Sequence, residues 1–361
     1  MVSKPVVPPW NDGSKNLVRD LAGAMTRHRA VVLGTRGAAA PGAARMEPVY
    51  GSRRVGFSLD APAQAAVAVR LALGRACDAW HFFFAPSPRT SRVARALVGL
   101  RRVRSVQTIC SAPAPGAPLA SLLYADRVVV LSRAMERRFL AEGVARDRLR
   151  RIAPAVAPIA APDAEARRRA RASLGLPEGA PLVLFPGDLE IGGGAERTIE
   201  ALPSLRPDVL LVIATRAKTA GHGEAEARVR ARAAALGVAD RVRWIGETRA
   251  IHALVGAADV VALPSASMRA KIDLPLVLIE AMWMERAVVV AEDAPSAELA
   301  DDGAAVAVAE GGLGAELARL IDDDDARAAL GRRARDAALA RYEPSLMARS
   351  YESLYDEVLD G

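Results

Sequence analysis

The sequence predicts an α/β protein with two domains, each a parallel sheet covered by helices on both faces. Three observations carry that prediction. Apolar runs of strand length alternate with helical stretches almost throughout, a pattern that parallel sheets with crossover helices require. At 361 residues the chain is too long for one ordinary core and fits two. Between them, residues 153–163 supply three prolines without apolar periodicity, which reads as a stiff connection.

The elements follow in order. A doubly wound domain wants a strand before its first helix, and only residues 1–7 are available, so this strand reads as cut short. Asp12 or Ser14 then caps a helix that aligns Leu17, Leu21 and Met25. Gly13 either makes the turn or lets the backbone approach a ligand. Strands are expected at VVLGT from Val31, AWHFFFA from Ala79, VRSVQTI from Val103 and RVVVLS from Arg127. Ser132 caps the next helix, whose apolar positions are Met135, Phe139 and Leu140 and which ends at Gly143. The second half restarts with LVLF at Leu182, VLLVIA at Val209, VRWIG at Val242, DVVALPS at Asp259, AVVVA at Ala287 and AAVAVA at Ala304. The acidic run 322–325 reads as a helix boundary. A closing helix carries Leu346, Tyr351, Leu354 and Tyr355 on one side.

Composition narrows the function. No run of 18 uncharged apolar residues and no basic-then-apolar start is present, so the chain reads as soluble and cytoplasmic. Cys77 and Cys110 stand far apart, outside any CxxC spacing, and are expected as free thiols. Of 49 basic residues only Lys4, Lys15, Lys218 and Lys271 are lysine; the arginines read as spread over helices beside acids, and aromatics are 4%. Nucleic acid is not an expected partner, because the stacking platform is missing. A solvated basic surface is the plain reading of the net charge of +7, and peripheral contact with anionic headgroups at the inner membrane face also fits it.

Residues 271–293, KIDLPLVLIEAMWMERAVVVAED, are the most informative stretch, expected as a helix of about three turns running into a buried strand. Between Leu274 and Met284 every residue is apolar except Glu280, so one carboxylate is carried into a buried helix and needs a definite partner. A pair of sugar hydroxyls or a structural bond would serve. Asp273, seven residues earlier, either shares the helix face with Glu280 or caps the helix. Free N–H groups at the helix start, with Lys271 ahead of it, suit a diphosphate.

This segment resembles the signature of glycosyltransferase family 4, retaining enzymes of GT-B fold. The likeness extends over residues 126–132, 242–246, 259–265 and the Tyr351 to Tyr355 helix, and is strongest from about 241 to 302. It implies two Rossmann-like domains facing a central cleft: residues 1–155 on the acceptor side, 164–340 on the nucleotide-sugar side, and a helix of 341–361 crossing back to the first. It further implies that Glu280 holds the ribose hydroxyls, that Pro275, Leu276 and Val277 contact donor sugar or phosphate, and that no cofactor or metal is needed beyond the nucleotide-diphosphate sugar itself.

Departures lie close to the chemistry. The first Glu of the family pair falls at Ile272, leaving Asp273 as its replacement. Where the family places Arg and Lys after the first strand of the second domain, this chain has Asp188 and Gly193; glycines 192, 193 and 194, with Arg197 one turn further, can offer backbone N–H groups instead. Cys110 stands where an N-terminal-domain His is common, and a thiol is a weak donor. His81 matches another family His and either points to the cleft or is a satisfied core histidine. The candidate catalytic residues are therefore Asp273, Glu280 and His81. Candidate substrate contacts are Gly13, Ser14, Lys15, Cys110 and Ser132 in the first half; in the second they are Gly187, Asp188, Gly193, Arg197, Gly246, Lys271, Leu274, Pro275, Leu276 and Val277. The expected activity is transfer of a sugar to a sugar, lipid or small-molecule acceptor. A GT-B protein that binds a nucleotide sugar and serves another transferase is the alternative, recommended by the missing charges; no cofactor lysine supports an epimerase or phosphorylase.

Overall fold

The computed structural model describes residues 1–51, 59–114, 116–269 and 271–361. They form two compact units. The first comprises Met1–Ala157, Arg269–Leu274 and Tyr342–Gly361, the second Pro158–Met268 and Pro275–Arg341.

In the first unit the strands are β1 (Val31–Thr35), β2 (Arg45–Tyr50), β3 (Ala79–Phe83), β4 (Arg104–Thr108), β5 (Arg127–Val130) and β6 (Leu149–Arg151). β1 pairs with β2, and β3 to β6 pair in sequence, all parallel. Two of these were not legible as apolar runs. β2 reads RMEPVY, an edge strand in which Pro48 is tolerated, and β6 is only three residues, two of them arginine. The short N-terminus fills the place between the two ladders. The Leu33 amide donates to the Met1 carbonyl (3.1 Å), Val2 donates to His81 (2.7 Å), and Phe83 donates back to Val2 (2.8 Å). Two residues thus supply what the reading expected of a strand over 1–7.

Alternation along these strands separates the two faces of the sheet. Val32, Phe83, Val106 and Val129 pack with the helices Gly13–Ala24 and Pro344–Asp360. Leu33, Trp80 and Phe82 pack with the helices Ala61–Leu73 and Pro88–Arg101, while Val128 and Val130 meet the helix Arg133–Ala141. Asp12 and Ser132 cap their helices as expected, through Ser14 N and Met135 N. Tyr351, Leu354 and Tyr355 of the closing helix are buried, but Met347 and Ala348 complete the stripe and Leu346 is only half-buried.

One acid on that helix is buried. Glu352 Oε1 accepts from the amides of Thr26 (2.8 Å), Arg27 (2.5 Å) and His28 (3.1 Å), in the bend that follows the helix Gly13–Ala24. Burial pushes its carboxyl up, but the three amides and the Arg27 guanidinium outweigh this and hold it below the ordinary value. Glu352→Ala is expected to cost about 2 kcal/mol, since the exposed turn regains some water. A group with a depressed folded value stabilises above the unfolded value and loses that contribution as pH falls through the folded one. Urea unfolding curves of the two proteins should therefore differ at neutral pH and converge below the usual carboxylate range of about 4; a gap that persists in acid would mean packing, not charge, is at stake.

The second unit contains β7 (Leu182–Phe185), β8 (Leu210–Ala214), β9 (Val242–Ile245), β10 (Val260–Leu263), β11 (Ala287–Ala291) and β12 (Val306–Val308). Every one lies where an apolar run predicts it. The sheet order is β12-β11-β10-β7-β8-β9, all parallel, so the winding reverses between β7 and β10. The helix after β10 is shorter than expected, Leu276–Trp283, because Pro275 stands at its N-cap and Glu285 turns the chain at φ 57°. The boundary in the acidic run falls between the helices Leu313–Asp322 and Asp324–Arg341. Among the described residues no helix is long and apolar enough to cross a membrane.

Candidate functional site

In a doubly wound sheet the ligand crevice opens beyond the carboxyl ends of the strands where the winding reverses. Here that point lies between the segments that leave β7 and β10. Gly192 and Gly193 adopt φ of 85° and 63°, and Gly193 starts the helix Gly194–Ala201 with no side-chain cap. The close approach requires glycine. A Cβ on Gly192 would stand 2.8 Å from the Ser267 carbonyl, and one on Gly194 would collide with the Ser265 hydroxyl. The Ala266 amide donates to the Gly192 carbonyl at 3.1 Å. Ser265 is fully buried and its Oγ has no hydrogen-bond partner. Uncapped amides at a helix N-terminus beside a buried hydroxyl suit an anion with several oxygens.

Arg197 is one turn into that helix, its Nη1 3.4 Å from the Pro264 carbonyl and 3.9 Å from Asp293. Glu280 projects from the helix Leu276–Trp283 and stands 3.4 Å from Nε2 of His252, a residue to which the sequence assigned no role. Nothing in the spacing, 28 residues across a strand, could have paired them. Pro275, Leu276 and Val277 open this second uncapped helix start, with Leu276 buried and the other two half-buried. Gly246 follows β9 with open space where a Cβ would be, whereas Gly187 is packed against Phe185 and Leu263.

Several expected site residues are taken up by the fold. Asp188 is 3% exposed, accepts from Lys218 Nζ at 2.6 Å and from the Ile191 amide at 3.2 Å. It serves as the internal counter-ion of Lys218. Glu190 adds to the same lock by accepting from the amides of Lys218 and Thr219, each at 3.1 Å. Removing the cation strands Asp188 in a dry site. Lys218→Met is expected to lower stability by about 2 kcal/mol, Asp188 keeping its amide bond, with Asp188→Asn restoring part of the loss; thermal unfolding of the single and double variants checks both.

In the first unit His81 is 3% exposed and both ring nitrogens are engaged, Nδ1 with Tyr355 Oη (2.6 Å) and Nε2 with Thr108 Oγ1 (2.8 Å). Burial pushes its protonation well below the usual range. The core reading of His81 holds, and no nitrogen is left for catalysis. Cys110 lies in the hydrophobic core, its thiol pushed up to about 12 by burial, so it cannot stand in for an imidazole at a substrate. Asp273 is neither on the helix of Glu280 nor its cap: it belongs to the Arg269–Leu274 segment, is buried, and accepts from Ser132 Oγ at 2.5 Å. Ser132 spends its oxygen on that bond and on Met135 N. Lys271 and the fully buried Leu274 lie in the same segment.

The helix that begins at Gly13 is closed by a carboxylate. Ser14 gives both its amide (3.0 Å) and its hydroxyl (2.6 Å) to Asp12, and Lys4 neutralises Asp12 at 2.6 Å. Lys15 Nζ turns back to the Val7 carbonyl at 3.0 Å. An anion expected at Gly13, Ser14 and Lys15 would meet a negative charge already in place. Both cysteines are free thiols.

Residues 166–337, within the second half of the chain, match the family model described as glycosyl transferases group 1. Among curated proteins none matches this chain in sequence. Solved structures resemble it along its whole length. The Anabaena protein Alr3699/HepE, crystallised with UDP-glucose, is similar with a TM-score of 0.77 at 19% identity, covering 98% of each chain. A glycosyltransferase from Rickettsia africae gives 0.74 at 15%, covering 98% of this chain and 97% of its own. Sucrose-phosphate synthase from Thermosynechococcus elongatus gives 0.72 at 18%, covering 96% and 94%. The chain has the GT-B fold.

Proposed function

We propose that this protein is a retaining glycosyltransferase that takes a sugar from a nucleotide-diphosphate donor bound on the second unit. The observation that carries the proposal is the coincidence of three features in the stretch that matches the family model. These are the glycine-lined reversal point at residues 192–194, the uncapped helix starting at Leu276, and Glu280 one turn inside that helix. Glu280 is assigned the ribose hydroxyls, and the amides of the two helix starts, with Arg197, the diphosphate. Complexes of Alr3699/HepE with UDP and with UDP-glucose support a nucleotide sugar as the partner.

The chemistry asked of the chain is modest. As the bond from the anomeric carbon to the diphosphate breaks, helix dipoles stabilise the departing charge, and an acceptor hydroxyl attacks on the same face, its proton passing to the departing phosphate oxygen. Positioning and electrostatics carry this, which is compatible with the structural duties of His81 and Asp273. The acceptor is a hydroxyl of a sugar, lipid or small molecule, and no metal or further cofactor takes part. A second reading, a GT-B protein that binds donor for another transferase, is favoured by Asp188: its charge and that of Lys218 cancel where the family has two cations.

The experiment is a panel of nucleotide sugars assayed for transfer and slow hydrolysis, with binding followed by calorimetry. Turnover with one donor supports the enzyme. Binding without turnover under all acceptors supports the second reading, and absence of binding to every donor sinks both.

A further inference from the structure

The net charge of this protein is concentrated in one stretch of the first unit. Residues 61–125 hold eight arginines and one acid, Asp78, which equals the whole chain's excess of +7. The two helices of that stretch, Ala61–Leu73 and Pro88–Arg101, lie side by side over the Trp80 and Phe82 face of the sheet. They bury Leu71 and Ala94 respectively. At three- and four-residue steps on the opposite side stand Ala65, Val69 and Leu73 on one helix, and Val93, Ala96 and Leu100 on the other. Solvent-facing lines of a surface helix are ordinarily polar. These are apolar, and they account for four of the seven large hydrophobic side chains exposed among the described residues: Leu73 at 81%, Leu100 at 73%, Val69 at 57% and Val93 at 47%.

The two lines are tied together. Arg101 Nη1 donates to the Ala72 carbonyl at 2.8 Å and Nη2 to that of Gly74 at 3.2 Å, bringing the end of one helix, at Leu73, to the end of the other, at Leu100. Arg70 pairs with Glu47, and Arg95 bonds the carbonyls of Ala120 and Leu123, so these arginines serve the fold. Arg75, Arg89, Arg92, Arg102 and Arg104 remain exposed. The helices themselves contain no acid; Asp60 caps the far end of the first. An exposed apolar strip with a rim of one sign marks a surface built for contact.

We propose that this face docks on an anionic lipid surface, with Val69, Leu73, Val93 and Leu100 entering the interface and the arginines meeting headgroup phosphates. Charge complementarity decides the occupant. A second copy of this chain would set five exposed arginines against five more, whereas a bilayer of anionic lipid offers both apolar depth and the opposite charge. Attachment of this kind keeps the protein peripheral. The inference rests on the first unit alone and is independent of the donor chemistry proposed for the second.

The test is sedimentation of the full chain with phosphatidylcholine vesicles and with mixed phosphatidylcholine and phosphatidylglycerol vesicles. The expected result is binding to the mixed vesicles only, weakened by salt. Arg89→Ala with Arg92→Ala is expected to weaken it about 25-fold, at about 1 kcal/mol per arginine. Leu73→Ser with Leu100→Ser is expected to weaken it at least roughly tenfold with the thermal midpoint unchanged, because the removed groups are already exposed. Equal partition of all forms, or no partition of the parent, overturns the proposal. So does a dimer in gel filtration that the leucine pair dissolves without touching vesicle binding, which would assign the face to a second copy.

Discussion

Glu280→Ala is expected to lower kcat/KM for nucleotide-sugar turnover about 100-fold while leaving the thermal midpoint nearly where it was. Among the described residues of the second unit the carboxylate faces the imidazole of His252 at 3.4 Å, whose side chain is 55% exposed. A pair of that kind contributes little to stability, so loss of the acid is not felt by the fold. Two charge-assisted hydrogen bonds to vicinal hydroxyls are each worth about 1.5–3 kcal/mol, and removing their acceptor forfeits about 3 kcal/mol in total after water returns. Glu280→Gln, which keeps an acceptor oxygen without the charge, should lose about tenfold. Because ribose is distant from the breaking bond, the loss is expected mainly in KM. A kcat collapse at unchanged KM would instead place Glu280 at the reacting centre, and undiminished kcat/KM in the alanine variant would remove it from the site.

What could be read from the sequence follows burial. The central strands of the second sheet are buried on both faces, so LVLF, VVAL and AVVVA are continuous apolar runs, and the half-buried edge strands β9 and β12 still carry enough apolar residues to be legible. The edge strand RMEPVY was not, because half-exposed positions carry charge and proline. The Met1 to Val2 pairing was beyond reach for a different reason: a two-residue bridge has no periodicity. Glu280 could be singled out because one acid in an apolar helix needs a partner, and the structure sets the His252 imidazole 3.4 Å from it. The partners of Asp188 and Asp273 were not legible, because Lys218 lies 30 residues from the first and Ser132 lies 141 from the second. Local sequence declares a charge but not who neutralises it. His81 was left between two readings until the bonds from Tyr355 and Thr108 decided for the core. Charge clustering in 61–125 was visible from the start in principle, and was averaged away by counting over the whole chain.

The same logic gives the largest effect on stability at the opposite end of the second sheet from the crevice. Asp259 precedes β10 and is 7% exposed. It accepts from the Leu182 amide (2.8 Å), from Arg171 (2.9 Å) and, at closer range, from Arg167. Arg327 stands 3.9 Å away. Arg286 is pushed down to about 10 by burial and by Arg167, with Asp259 opposing the shift. Asp259 therefore joins Arg167, Arg171 and Arg327 beside a surface cavity of about 520 Å³, whose walls also include Arg206 and the acids Glu178, Asp322 and Asp324. Asp259→Ala leaves Arg171, 4% exposed, with carbonyl partners and only Glu178, an acid it does not bond through its carboxylate, as counter-charge, which costs about 3–5 kcal/mol. For a domain of this size the thermal midpoint should fall by about 10 °C. Arg171→Met alone strands the acid instead, and the double variant should cost less than the two single losses together, because one removed charge relieves the other. Additive losses would mean that the two residues act through packing, and a midpoint unchanged in Asp259→Ala would show that Leu182 and the arginines find equivalent partners without it.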